Sequence, residues 1–262
     1  MAKDRSSAGD PARTLSLLWR EPPAGSRSGA TASGHRGPRR GLDVDAVLRA
    51  ATALADHEGL EALTMRRLAK ELGTAPMTLY TYVPGRAELV DLMLDAAYAD
   101  LPLTDTRSRP WRERLRVVAD ENRAMYLAHP WAAAVSTLRP PLGPGLMAKY
   151  EHELGALTGL GLGDVEIDDS LTHLLGFVRA NARDGVDARS AALESAMDDE
   201  EWWAVNAPLL GRVLDPEAFP LASRIGTAAG QAHSSAHHPE HAYRFGLERV
   251  LDGFAVLMPP GR

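Results

Sequence analysis

The chain has 262 residues, 45% of them hydrophobic, which suits one or two domains with a sizeable buried core. It has no cysteine, and that excludes disulfides, thiolate nucleophiles and cysteine-based zinc sites. The net charge of −6 conceals a gradient: residues 1–42 carry eight Lys/Arg against three Asp/Glu, residues 43–90 five against seven, and residues 91–262 sixteen against twenty-five. A basic end on an acidic body fits a polyanionic partner at that end only.

Residues 1–41 are rich in Gly, Ser, Pro, Ala and Arg. Such a segment buries too little apolar surface to fold alone, so a flexible basic arm is expected, ending in Arg36, Arg39 and Arg40. Leu15, Leu17, Leu18 and Trp19 interrupt it and offer a short turn of helix that docks elsewhere. That stretch is too short for a signal peptide, and no apolar run approaches the roughly 18 residues of a membrane span, so a cytoplasmic location is expected.

From Asp43 the periodicity is helical. Val44, Val47, Leu48, Ala51 and Leu54 form one stripe, with Asp43 as N-cap and Gly59 as the stop. Thr64 caps a second short helix with Met65, Leu68, Ala69 and Leu72 inward, and Gly73 ends it. Pro76 fits the first turn of a third helix, whose inner face is Leu79 and Val83. A fourth carries Val90, Met93, Leu94, Ala97, Tyr98 and Leu101. After a linker at 102–110, helices are expected at about 111–128, 130–137, 145–158, 165–183, 189–213 and 242–257, with 226–241 as a His-rich loop. No strand-type alternation is sustained, so the fold class is all-α.

Three helices with a tight Gly-containing turn between the second and third form the pattern of a helix-turn-helix, so a three-helix DNA-binding unit followed by a larger helical domain is expected. The third helix must be short and must turn side chains of moderate length outward to reach base edges. Here the outward set is Met77, Thr78, Tyr80, Thr81 and Tyr82. The run from Leu63 to Val83, with its Leu-Ala…Leu-Gly core, its Thr-Leu-Tyr, and the following Arg86-Ala87-Glu88-Leu89-Val90, resembles the DNA-binding domain of the TetR/AcrR family. The resemblance spans about 60 residues, Asp43 to Leu101, within a DNA-binding domain bounded at 42–101. It implies that Thr64 and Arg66 touch DNA at the groove edge, and that Pro76, Met77, Thr78, Thr81 and Tyr82 face the major groove. It further implies that the Tyr80 hydroxyl meets phosphate and that Arg86 clamps one. Met77 has no hydrogen-bonding group, so a base contact there is apolar, as with a thymine methyl. Arg67 and Lys70 divide evenly between a solvated face and distal phosphate contacts.

The second domain, 111–258, is similar to the C-terminal domain of the tetracycline-repressor subgroup at His129-Pro130-Trp131 and Arg139-Pro140-Pro141-Leu142-Gly143-Pro144. This implies a small-molecule cavity and a homodimer formed by a four-helix bundle. The helix at 165–183 carries apolar residues on more than one face, and the last helix offers Leu247, Val250, Leu251, Phe254 and Leu257 as a seam. Asn122 and His129 break the apolar stripe that holds Tyr126, and His173 and Asn181 break the one beside Phe177. These six are the candidate ligand-binding residues, each also readable as a buried polar group bonded to backbone. His233, His237, His238 and His241 read as an incidental loop cluster, so no metal and no cofactor is expected. No catalytic constellation stands out, so no enzyme activity is expected. The main reading is a regulator of operator DNA, released by an effector. The rival is a helical adaptor or enzyme that kept the three-helix unit, and the outward Thr/Tyr set argues against it.

Overall fold

The computed structural model describes residues 5–20, 42–236 and 238–258. Twelve α-helices and one 3₁₀ turn are seen there, and no strand among the described residues. They are α1 (Pro11–Leu18), α2 (Val44–Glu58), α3 (Met65–Glu71), α4 (Pro76–Leu79), α5 (Arg86–Ala99), α6 (Trp111–Ala128), α7 (Pro130–Ala134), α8 (Pro144–Leu157), α9 (Asp164–Ser195), α10 (Asp199–Val213), α11 (Pro220–His233) and α12 (Pro239–Leu257). The 3₁₀ turn, Leu60–Ala62, lies between α2 and α3.

The N-terminal unit forms as its caps dictate. Asp43 accepts a hydrogen bond from the Ala46 N–H, and Thr64 Oγ1 accepts one from the Arg67 N–H. Gly73 adopts φ 63°, and the Thr74 N–H returns to the Ala69 carbonyl at 2.9 Å, a helix stop that L side chains resist. Leu63, Leu68, Leu79, Val83, Leu89 and Met93 are sealed in one core.

Helix α5 joins the two halves. It packs on α2 on one side and on α8 on another, so it is apolar nearly all round and buries Glu88, Asp91 and Asp95 as well. Gly145 permits the α8 contact: a Cβ there would sit 2.1 Å from the Asp95 carbonyl oxygen. Behind α5, α6 and α9 pack together, and α12 lies on α9. Arginines of α6 zip to acids of α12, as in Arg116 to Glu248 at 2.8 and 2.9 Å and Arg112 to Asp252 at 2.8 Å.

Three expectations need correction. The gap expected between helices at 165–183 and 189–213 is absent at that place, and α9 runs unbroken to Ser195, carried by the Ala-rich stretch at its end. The expected loop at 226–241 holds most of α11 instead, ended by Ser234 in the left-handed conformation. The arm over 1–41 is not uniformly flexible: residues 5–20 are ordered against α5 and the α7–α8 loop, with Leu18 buried. Arg36, Arg39, Arg40 and His237 lie outside the described residues.

Candidate DNA interface and effector core

The helix-turn-helix presents the expected face. Thr64, Arg66, Pro76, Met77, Thr78, Tyr80 and Thr81 are all exposed, and Met77 retains 75% of its surface. Met77 is thus a surface position and takes no part in the core. Thr81 donates its hydroxyl to the Thr78 carbonyl at 2.7 Å, which stiffens the end of α4. In the turn that follows α4, Tyr82 is only half-exposed and packs partly on the core, while Tyr80 is exposed. Arg67 is engaged by Glu58 at 2.7 Å, whereas Lys70 is exposed.

Arg86 departs from its expected role. Its guanidinium lies inward and donates to the carbonyls of Leu63 and Leu60, each at 2.8 Å. It ties the start of α5 to the 3₁₀ turn and the approach to α3, and so positions the reading helices instead of reaching outward as a phosphate clamp.

The six ligand candidates separate into two groups. Asn122 and Tyr126 share the interior between α5, α6 and α8. Asn122 Nδ2 donates to Glu153 at 2.5 Å and to the Val118 carbonyl at 2.9 Å, while its Oδ1 is buried with no hydrogen-bond partner among the described residues. Glu153 also accepts from Lys149 Nζ at 2.6 Å, and that ammonium lies 5.5 Å from the Tyr98 ring centre. Burial pushes the Tyr126 hydroxyl up to about 12 and drives that of Tyr98 up as well. A buried amide, ion pair and two phenols thus form one polar cluster in an apolar shell.

The other four stand elsewhere. His129 caps α7 and faces α2, where its Nδ1 is 2.9 Å from Asp56; Trp131 Nε1 donates to the same carboxylate at 2.7 Å. His173 is exposed with its ring edge toward Phe254, and Phe177 stacks on Tyr243, so both belong to the α9–α12 contact. Asn181 Nδ2 donates to the Pro239 carbonyl at the start of α12, although its Oδ1 is also unpaired. The reason is rotational: positions on a long helix packed on several faces point to different neighbours, and a single stripe cannot say which.

Sequence reasoning missed Tyr98, Lys149 and Glu153. Lys and Glu at i, i+4 read as a solvated pair. Within the polar run Lys149-Tyr150-Glu151-His152-Glu153 no local signal marks these two as buried. The expected seam is also corrected: Leu247, Leu251 and Phe254 are buried against their own chain. Among the described residues no group of three His, Asp or Glu is arranged to hold a metal ion. No helix there is long and apolar enough to cross a membrane.

These features define a helix-turn-helix unit carried on a helical body with a polar interior cluster. Residues 47–93 match the family profile "Bacterial regulatory proteins, tetR family", and residues 102–258 match "Tetracyclin repressor-like, C-terminal domain". The chain belongs to the TetR family and is a DNA-binding transcriptional repressor of the ligand-responsive kind. It is 37% identical over 262 residues to the HTH-type transcriptional repressor DrrR1 of Streptomyces coeruleorubidus, covering 99% of this chain and 91% of that protein. It is 29% identical to the tetracycline repressor protein class E of Escherichia coli, over 83% of this chain and 92% of the other. Among solved structures, the Streptomyces coelicolor TetR family protein ActR in complex with actinorhodin superposes with a TM-score of 0.69 at 29% identity, over 84% of this chain and 98% of that one.

Proposed function

We propose that the protein acts in the cytoplasm as a homodimer on a palindromic operator, and that a small aromatic effector releases it. Thr64, Arg66, Pro76, Met77, Thr78, Tyr80, Thr81 and Tyr82 form the DNA-contacting face, with Arg66 and Tyr80 on phosphate or base edges. Arg86 contributes by positioning. The observation that carries this reading is the outward, uncommitted α3–α4 face beside an α5 that is buried by both halves of the chain.

The effector enters the interior at Asn122, Tyr126, Tyr98 and the Lys149–Glu153 pair. An apolar ring system suits the shell, and a hydroxyl or amide donor suits the unpaired Asn122 Oδ1, because a buried unsatisfied acceptor costs about 1–3 kcal/mol. The likeness to ActR bound to actinorhodin supports a polycyclic aromatic ligand. Two mechanical routes lead from that interior to the reading helices. One is α5 itself; the other is the Asp56 junction with His129 and Trp131. In a dimer the two recognition helices enter half-sites about 34–36 Å or a multiple apart, so a small change in their separation prevents simultaneous docking. By linkage, operator DNA must weaken effector binding by the same factor.

The test is enrichment of genomic DNA fragments on the purified protein, followed by anisotropy with the recovered operator and a panel of hydroxylated polycyclic aromatics. A recovered palindrome and release by at least one compound are expected. Failure to enrich any sequence would overturn the reading.

A further inference from the structure

The ordered N-terminal segment is built into the molecule at many points. Ser6 Oγ donates to the carbonyls of Ser136 and Arg139, and Ser7 Oγ to that of Pro140. The Ser7 N–H donates to Asp91 and the Asp10 N–H to Glu88, both on α5. Trp19 Nε1 donates to the Leu142 carbonyl, and Arg20 pairs with Asp45 of α2. Thr14 and Leu18 face the core. The segment that carries α1 is therefore held against both α5 and α2 of the DNA-binding unit and the α7–α8 loop.

Its other face is open. Ala12, Arg13 and Ser16 are exposed and, with Leu17, line a groove of about 410 Å³ whose opposite wall is Tyr80, Thr81, Tyr82 and Pro84. That wall is the end of the recognition helix and the turn after it. The Arg13 guanidinium has no partner among the described residues, while Arg86, just beyond Pro84, is turned inward onto two carbonyls.

We propose that α1 is a second DNA-contacting element, and that Arg13, with Ser16 beside it, binds the sugar–phosphate backbone flanking the half-site read by α4. The groove is continuous with the recognition face and carries an exposed cation at its rim, which suits an anionic strand. Arg13 on its docked helix supplies the backbone contact that Arg86 is not placed to make. A four-residue recognition helix reaches few bases, so contacts of this kind are needed to fix its register. The proposal rests on the DNA-binding reading above.

The test uses the full chain, the operator recovered above, and anisotropy over a series of KCl concentrations. Arg13→Ala is expected to weaken binding about three- to tenfold and to make log K against log salt shallower by about 0.9 for each phosphate that is no longer neutralised. Arg13→Lys should retain the slope, and melting curves of both should match the parent, since the side chain is exposed. A duplex trimmed of its flanking base pairs should bind parent and Arg13→Ala alike. If Arg13→Ala keeps both affinity and slope while the parent binds the operator, only this proposal falls. If the parent enriches no DNA, the regulator reading falls and takes this one with it. A slope change accompanied by a lowered melting temperature in Arg13→Lys would assign Arg13 a structural role and overturn the proposal.

Discussion

The helix-turn-helix unit and the C-terminal α10–α12 region solve the burial problem in opposite ways. In the first, Leu63, Leu68, Leu79, Val83 and Leu89 are sealed by the chain itself, and the large apolar side chains left out are Met77 and Tyr80, both on the recognition face. In the second, Trp202, Val205, Leu209, Leu210 and Val213 of α10, Leu221 and Ile225 of α11, and Phe245, Val256 and Leu257 of α12 stay exposed, with Val256 at 84% and Val213 at 80%. So many large apolar side chains left exposed over three helices suit burial against a partner. One region is complete in a single chain, and on the reading proposed above its exceptions are the side chains that meet DNA. The other, on the same reading, faces a second chain, and a two-fold dimer is the commonest way to supply one.

The largest expected effect lies in the interior on which both regions lean. Lys149→Ala leaves Glu153 buried without its ammonium, and breaking a buried pair from one side costs about 3–5 kcal/mol. Urea denaturation reads this directly. The double variant Lys149→Met, Glu153→Leu should recover most of the loss, because the pair is then removed together. That double variant should respond to no effector. If it still releases operator on adding one, the polar cluster is not the effector site.

Val256→Arg sharpens the comparison from the dimer side. The position is exposed in one chain, so the fold should stand, but an unpaired charge in an interface is expensive. Sedimentation should show a monomer, and operator affinity should drop by at least about a hundredfold, leaving weak salt-sensitive binding. Leu251→Arg should instead unfold the protein, since Leu251 is sealed against its own α9. A Val256→Arg protein that stays dimeric would place the interface elsewhere.

On the DNA side the effects are smaller and leave folding alone. Arg66→Ala and Tyr80→Ala should each cost about 1–3 kcal/mol of operator binding with melting curves unchanged. A drop in stability without a loss of affinity would mean these side chains serve the fold.

How much of this was legible follows from the same contrast. The caps Asp43 and Thr64, the stop at Gly73 and the proline at the start of α4 are local signals, and each appears where the residues put it. Helix α6 likewise spans Trp111–Ala128 as its stripe requires. The misreadings lie where local pattern is silent about neighbours. Lys149 and Glu153 carry the spacing of a surface pair yet are buried, because α5 covers them. Leu247, Leu251 and Phe254 have the spacing of a dimer seam yet pack on α9, and the exposed positions beside them are the free face. A stripe identifies a packed side and does not say whose side chains pack on it. In the segment at 5–20, Leu15, Leu17, Leu18 and Trp19 signalled the docked helix, while the hold of residues 6–10 was hidden, because it comes from backbone N–H groups and hydroxyls that leave no hydrophobic pattern.

That segment supplies the most local prediction. Asp91 is buried under the strap, and burial raises its pKa from 3.8 to about 6; the Ser7 N–H pulls it down in part, and neighbouring Glu88 adds to the rise. A carboxyl raised in the folded protein binds more protons there than in the unfolded chain between those two values. The fold therefore draws its full contribution from this group below pH 3.8 and loses it as pH climbs through 6, the reverse of a salt-bridged carboxylate; where the strap supplies the burial, its docking follows the same trend. Amide protection at Ser7 and Asp10, corrected for intrinsic exchange, should fall from pH 5 to pH 7.5. Asp91→Asn keeps an oxygen for the Ser7 N–H but carries no charge, so its protection should stay high and flat over the range. If α1 presents Arg13 to DNA, the parent's operator affinity should show a matching decline that Asp91→Asn lacks. A parent whose strap protection does not change with pH would mean that Asp91 ionises without cost, and that the strap is held by its hydroxyl and Trp19 contacts alone.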